Sequence, residues 1–299
     1  MMQRFTTHLK TFLAALVVGV TALTGVATHA QQVFPTAEAA SEAFHKAIAA
    51  NDSAAIRNVL GGQWKRFVPK DEIAQDDIAT FLAAWNKQHS LITESENRVL
   101  LAVGEGNWTL PIPIVKHAAG WRFDPTIGAD VMRTRRIGRN ELSAIQAVLA
   151  YFDAQLEYAQ RDRDGTGVLH YAQKIMSTPG RHDGLYWDDS TGIGSSPLGP
   201  MYGGQRAGQG YHGYYFKILT AQGENAPGGA YNYIIGGRMR AGFALIAWPI
   251  EYGESGVMSF MISHDGALYQ RDLGPRSDAT ARAMTLFNPD ASWSKTTAP

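Results

Sequence analysis

Cysteine is absent from all 299 positions, which excludes disulfides, thiolate metal sites, a cysteine nucleophile and lipid attachment through an N-terminal cysteine. An excess of either charge is missing too. The 27 basic residues are matched by 27 acidic ones, so the chain lacks the strongly basic face that nucleic acid requires. The leading apolar run, Phe12 to Val26, covers 15 residues and falls short of the roughly 20 needed to span a bilayer. Arg4 and Lys10 precede that run, and the small-residue segment Thr28-His29-Ala30 follows it. This order predicts a signal peptide over residues 1–30, a periplasmic or secreted protein, and no stable membrane span once the leader is removed.

Glycine and tyrosine are plentiful, at 31 and 12, and most lie downstream of residue 165. A helix-rich half followed by a half of strands and turns fits that shift. In the first half, Pro35-Thr36 opens a helix carrying Ala37, Ala40, Phe44, Ala47 and Ile48. Asn51-Asp52-Ser53 can cap a second, ended by Gly61-Gly62, and a third carries Ile73, Ile78, Phe81, Leu82 and Trp85. Strands are expected at 98–103, 109–117 and 120–123, with Pro111 and Pro113 forcing an edge or bulge.

Four arginines, at 133, 135, 136 and 139, read as a solvated connector, with an anionic partner such as lipid headgroups or acidic glycan as the other reading. They separate an α+β domain at 31–132 from a second α+β domain at 140–299. Asn140 is expected to cap a long helix in which Leu142, Ile145, Leu149, Phe152, Leu156 and Ala159 alternate at spacings of three and four. That seam is expected to pack on the chain's own sheet, an antiparallel meander with hairpin turns at Gly236-Gly237 and Asp265-Gly266. A short helix at 277–287 closes the chain. The fold class is therefore α+β: a helical N-terminal segment with an antiparallel sheet, then a long helix on an antiparallel meander.

The second half combines Asp162-Arg163-Asp164-Gly165-Thr166-Gly167, His182-Asp183-Gly184-Leu185-Tyr186-Trp187, Ser196-Pro197-Leu198-Gly199-Pro200, Tyr211-His212-Gly213-Tyr214-Tyr215-Phe216 and Ala226-Pro227-Gly228-Gly229-Ala230-Tyr231. Together these runs resemble an uncharacterised exported bacterial family catalogued as domain of unknown function 2950, over roughly residues 35 to 295. That resemblance implies export and a shared fold, and no activity. The first half, ending in Gly120-Trp121-Arg122-Phe123-Asp124, is similar to the cone-shaped nuclear-transport-factor-2-like domains, which often line a pocket between helix and sheet. The second half is similar to type IV pilin-like globular heads, although its helix is internal.

Several constellations could carry chemistry. Asp162, Asp164 and Thr166 alternate before a glycine as in the start of a calcium loop, although the twelfth position is Gln173 where a bidentate Glu belongs. A turn without any ion is the other reading of this segment. His182, His212 and His264 could supply imidazoles to an acid/base or metal cluster, and Glu251 with Glu254 a carboxylate pair for glycoside cleavage. Gly253-Glu254-Ser255-Gly256-Val257 misplaces the second glycine of a nucleophile elbow, and neither glycine-rich stretch matches a nucleotide motif. Tyr186, Trp187, Tyr202, Tyr211, Tyr214 and Tyr215 suit either core filling or a contact surface. These residues lead to an exported envelope protein acting as a non-catalytic binding or structural module for an envelope protein or glycan. The alternative is a secreted hydrolase acting on cell-wall or glycan material, built from some of His182, His212, Glu251 and His264.

Overall fold

The computed structural model describes residues 31–66, 75–188, 195–199 and 210–297; the expected leader, Ile73 and Tyr202 lie outside them. The first helices form where capping chemistry places them. In α1 (Ala37–Ala49) the Thr36 side chain accepts from Ala39 N, and in α2 (Ser53–Leu60) Asp52 accepts from Ala54 N and Ala55 N. Gly61, at φ 91°, then ends α2.

A 3-10 turn (Trp64–Arg66) and α3 (Gln75–Lys87) lead into β1 (His89–Ser95), β2 (Arg98–Val103), β3 (Trp108–Thr109), β4 (Ile114–His117) and β5 (Gly120–Phe123). These strands form an antiparallel sheet in the order β1-β2-β4-β5, with β3 also paired to β2. The expected strand at 109–117 is broken into β3 and β4 around Pro111 and Pro113, which cannot donate to a ladder. Phe44, Phe81, Leu101, Ile114 and Phe123 fill the space between helices and sheet. An open depression of about 320 Å³ lies instead between α1 and α2, lined by Gln32, Lys46, Asp52, Asn58 and Val59 among others.

The long helix corrects the expected start at Asn140. Helix α4 runs from Pro125 to Tyr158, with Asp124 accepting from Thr126 N and Ile127 N and Pro125 in the first turn. Asn140 and all four arginines therefore lie inside one continuous helix. Near its beginning Gly128 meets the first sheet so closely that a Cβ there would lie 3.0 Å from the Pro111 carbonyl oxygen.

The chain continues through β6 (Tyr214–Leu219), β7 (Ala221–Gln222), β8 (Tyr231–Asn232), β9 (Ile234–Ile235), β10 (Arg238–Met239), β11 (Ala244–Pro249), β12 (Met258–Ser263) and β13 (Leu268–Asp272). It ends with α5 (Ser277–Ala283), β14 (Leu286–Phe287) and β15 (Ser294–Thr296), so the helix expected over 277–287 stops at Ala283. The main sheet has the order β15-β13-β12-β11-β6, all antiparallel. Gly236 and Gly237, at φ 60° and 80°, close the β9–β10 hairpin, and Gly266 at φ 77° lies in the β12–β13 turn.

Helix α4 packs on this sheet with part of the expected seam: Ile145 is buried, and Leu149 and Phe152 pack against the same core. Ala144, Val148, Tyr151, Gln155 and Tyr158 are buried, whereas Leu142 and Leu156 remain 45% and 42% exposed. The buried face thus takes in Ile145 from the expected seam and extends beyond it. Small and hydrogen-bonding side chains face the strands: Tyr151 donates to the Ala244 carbonyl, and Gln155 donates to Tyr151 Oη and the Ala172 carbonyl while accepting from Ala172 N. The two hydrophobic clusters, one within 34–123 and one within 144–293, share no buried residue, and α4 connects them.

Candidate functional site

His264 sits at the end of β12, where Ser263 gives way to the Asp265-Gly266 turn and its own N–H is held by the Phe243 carbonyl at 2.9 Å. Its ring is edged by Tyr233, Phe243 and Tyr231 at centroid distances of 5.5, 6.2 and 6.3 Å. Nε2 lies 3.1 Å from Tyr231 Oη and 3.7 Å from Asp265 Oδ1. Nδ1 is buried and, among the described residues, has no hydrogen-bond partner. A Cβ on Gly242 would come within 2.7 Å of that nitrogen, so only glycine lets the backbone approach this closely. Burial, and then the Asp265 charge, push the Tyr231 phenol above its ordinary pKa. Tyr231 and Asp265 both approach Nε2, so the imidazole is not interposed between them as a relay, and the Ser263 hydroxyl bonds to Asp265 rather than to the imidazole.

The other sequence candidates lie elsewhere. Ser263 pairs with Ala244 at one end of β11, while Glu251 follows Pro249 at the other, a six-residue strand of about 20 Å away. His212 is at the Glu251 end, because β6 begins at Tyr214 opposite Pro249 and Gly213 accepts from Ile250 N. His212 adopts φ 46° and its ring meets Tyr211 at 4.1 Å. His182 is placed by the last turn of α4, where Tyr158 Oη donates to its carbonyl at 3.0 Å. Its ring lies against Trp187 at 4.5 Å, tilted by 38°.

Around Trp187 a cation and aromatic rings are layered. The Arg163 guanidinium lies 5.3 Å from the Trp187 ring and 5.4 Å from the Tyr158 ring. Burial, then the Arg161 charge, lowers the Arg163 pKa, and burial pushes the Tyr158 phenol up to about 12. Trp187 and Tyr214 are core residues, whereas Tyr186, Tyr211 and Tyr215 are half-buried.

In both the carboxylate pair and the calcium-like turn, the chain supplies partners of its own. Glu254 is taken by Arg133 and Arg136, and the Ser255 hydroxyl is bonded to the Glu251 backbone. In the calcium-like turn Asp162 accepts from Asp164 N, Thr166 N and Gly167 N, and Asp164 accepts from the Thr166 hydroxyl. Arg238 Nε lies 3.0 Å from the second Asp164 oxygen, with His170 Nε2 at 3.5 Å. Asp162, Asp164 and Thr166 are thus brought together by internal donors and an arginine. The Thr166 hydrogen bond, with Arg238 beside it, holds the Asp164 carboxyl well below the usual range. Among the described residues no three His, Asp or Glu side chains are grouped to hold a metal, and no helix is long and apolar enough to cross a membrane.

The contact that the sequence concealed is a clamp. Successive turns of α4 hold the loop between β11 and β12: Arg136 Nη2 reaches Glu254 Oε2 at 2.8 Å, Arg136 Nε the Glu254 carbonyl at 3.0 Å, and Asn140 Nδ2 the Ser255 carbonyl at 2.9 Å. Glu141 Oε1 accepts from both Val257 N and Met258 N at 2.9 Å. Arg135 turns the opposite way, to the Thr109 carbonyl and hydroxyl at 2.7 and 2.8 Å, with its guanidinium over Trp108. Arg133, Arg135 and Arg136, read as connector or anion site, therefore make ties within the fold.

No curated protein and no solved structure matches the chain, so the two likenesses of architecture carry no functional inference. One family model does match, over residues 31–296, and the chain accordingly belongs to the family described as protein of unknown function DUF2950.

Proposed function

We propose that the protein is exported and serves the cell envelope as a non-catalytic binding or structural module, with an envelope protein or a glycan as its partner. The observation that carries the reading is the dispersal of the reactive candidates. His212 and Glu251 lie beyond one end of β11, His264 at the other, and Glu254 and Ser255 are consumed by the fold. Acid/base and nucleophilic catalysis need groups within hydrogen-bond reach of one reacting centre. Export rests on the segment from Arg4 to Ala30.

The hydrolase reading has one observation in its favour, the Tyr231, His264 and Asp265 group with its partnerless Nδ1. Both readings meet in one experiment. The protein recovered from the envelope fraction is incubated with peptidoglycan and glycan panels, scoring retention and product release for the parent and for His182→Ala, His212→Ala, Glu251→Ala and His264→Ala. Retention without product supports the binding module. Product release that disappears in His264→Ala, or recovery of the protein from the cytosol, overturns it.

A further inference from the structure

The Gln31 side chain joins two elements that lie far apart in sequence. Its Nε2 donates to the Phe123 carbonyl at the end of β5 at 2.6 Å and to the Val59 carbonyl in the last turn of α2 at 3.0 Å, and both of those residues are buried. The amide thus spends both of its hydrogens. Its carbon is walled as well, because a Cβ on Gly61 would lie 3.4 Å from Gln31 Cδ and Oε1. The backbone beyond it is pinned to the same part of the fold: Gln32 N donates to the Asn58 carbonyl, and Phe34 and Trp121 exchange two hydrogen bonds, all at 2.8 Å.

The cut expected after Ala30 would make this glutamine the first residue of the processed chain, so the inference rests on the export reading. An N-terminal glutamine can close on itself. Its α-amine nitrogen attacks Cδ, the Cδ–Nε2 bond breaks, and Nε2 leaves as ammonia with the proton given up by the amine, which leaves a five-membered lactam. The expelled nitrogen is the donor of both hydrogen bonds, so the closed ring cannot tie α2 to β5. We infer that Gln31 is a modification site guarded by folding: it closes while the chain is unfolded, and the native state, holding Nε2 between the Val59 and Phe123 carbonyls, keeps it open as a latch.

Peptide mapping of the protein recovered from the envelope fraction should find Gln31 first, with its side-chain amide intact. In denaturing urea the first peptide should lose one ammonia, faster on the order of tenfold than in the folded protein at the same pH and temperature, because native closure requires the latch to open. The closed chain, refolded, should melt below an open sample unfolded only briefly, since two carbonyls have lost their donor. Gln31→Met has the length but neither donor nor ring closure, and should melt at the lower midpoint too. A first residue already closed in the native protein, equal rates in the two conditions, or a Gln31→Met midpoint equal to the parent's overturns the inference and leaves export standing. A cut at another position, or an uncut chain in the cytosol, overturns the leader reading and the inference together.

Discussion

Arg136 grips Glu254 twice, side chain to carboxylate at 2.8 Å and Nε to carbonyl at 3.0 Å, although 118 positions separate them. That pair belongs to a ladder continued by Asn140 and Glu141, which read the next residues of the same loop. The loop that carries Glu251, Glu254 and Ser255 is thereby an anchored structural element. Helix α4, which holds it, also packs Gly128 and Arg135 on the first sheet.

The Glu141 carboxylate is the strongest rung, because it alone satisfies two backbone N–H groups at the start of β12. Glu141→Ala should lower stability by about 1–3 kcal/mol by leaving donors unmade. Arg136→Ala removes a partly exposed ion pair and should cost less, about 0.2–1 kcal/mol. Chemical denaturation of the two variants checks the order.

Two glycines inside α4 should respond with opposite signs. A methyl group on Gly138 meets nothing within 4 Å, so Gly138→Ala should stabilise by about 0.5–1 kcal/mol through helix propensity. On Gly128 it would press on the Pro111 carbonyl and the Ile112 Cα at 3.0 Å, backbone atoms that cannot swing aside. Gly128→Ala should destabilise by about 1–2 kcal/mol once the propensity gain is offset. Thermal midpoints moving in the same direction would contradict the close approach of α4 to the first sheet.

Gln155 is fully buried and ties Ala172 N and O to Tyr151. Gln155→Leu keeps the volume but strands two backbone groups, and should cost about 2–4 kcal/mol in equilibrium unfolding.

Acid should act through Asp183. Burial raises its pKa, but hydrogen bonds from Lys174 and from the Thr178 N–H and hydroxyl outweigh it and hold the carboxyl at about 2. Its folded pKa lies below the unfolded value near 4, so its contribution is complete above about pH 4 and fades as pH falls toward 2. Asp183→Asn should lower stability at pH 7 and flatten its dependence across that acid window. A variant whose unfolding profile parallels the parent's from pH 7 to 2 would contradict the assignment.

Much of the fold was legible wherever local chemistry decides it. The caps at Thr36 and Asp52, the stop at Gly61 and the two glycine hairpins need only neighbours in sequence. The start of α4 was hidden because Gly128 and Gly138 interrupt the pattern and the arginines look solvated; the Asp124-Pro125 pair was the available signal. The sheet-facing side of α4 was legible only in part, at Ile145, Leu149 and Phe152, because leucine dominates an apolar count. The strands also accept Ala144, Val148 and a hydrogen-bonded Tyr151 and Gln155. β1, with one apolar-facing position in an otherwise exposed edge strand, carries no alternation to detect. For the site, the partners of His264 and Glu254 lie 33 and 118 positions away, and only tertiary structure brings them together.

Amide hydrogen exchange across residues 133–141 tests most directly whether α4 is one rod joining both cores. Continuous helix clamped to Glu254 and Ser255 should exchange as slowly as the flanking turns at 128–132 and 144–148. Fast exchange confined to 133–141, as in a solvated connector, would contradict it.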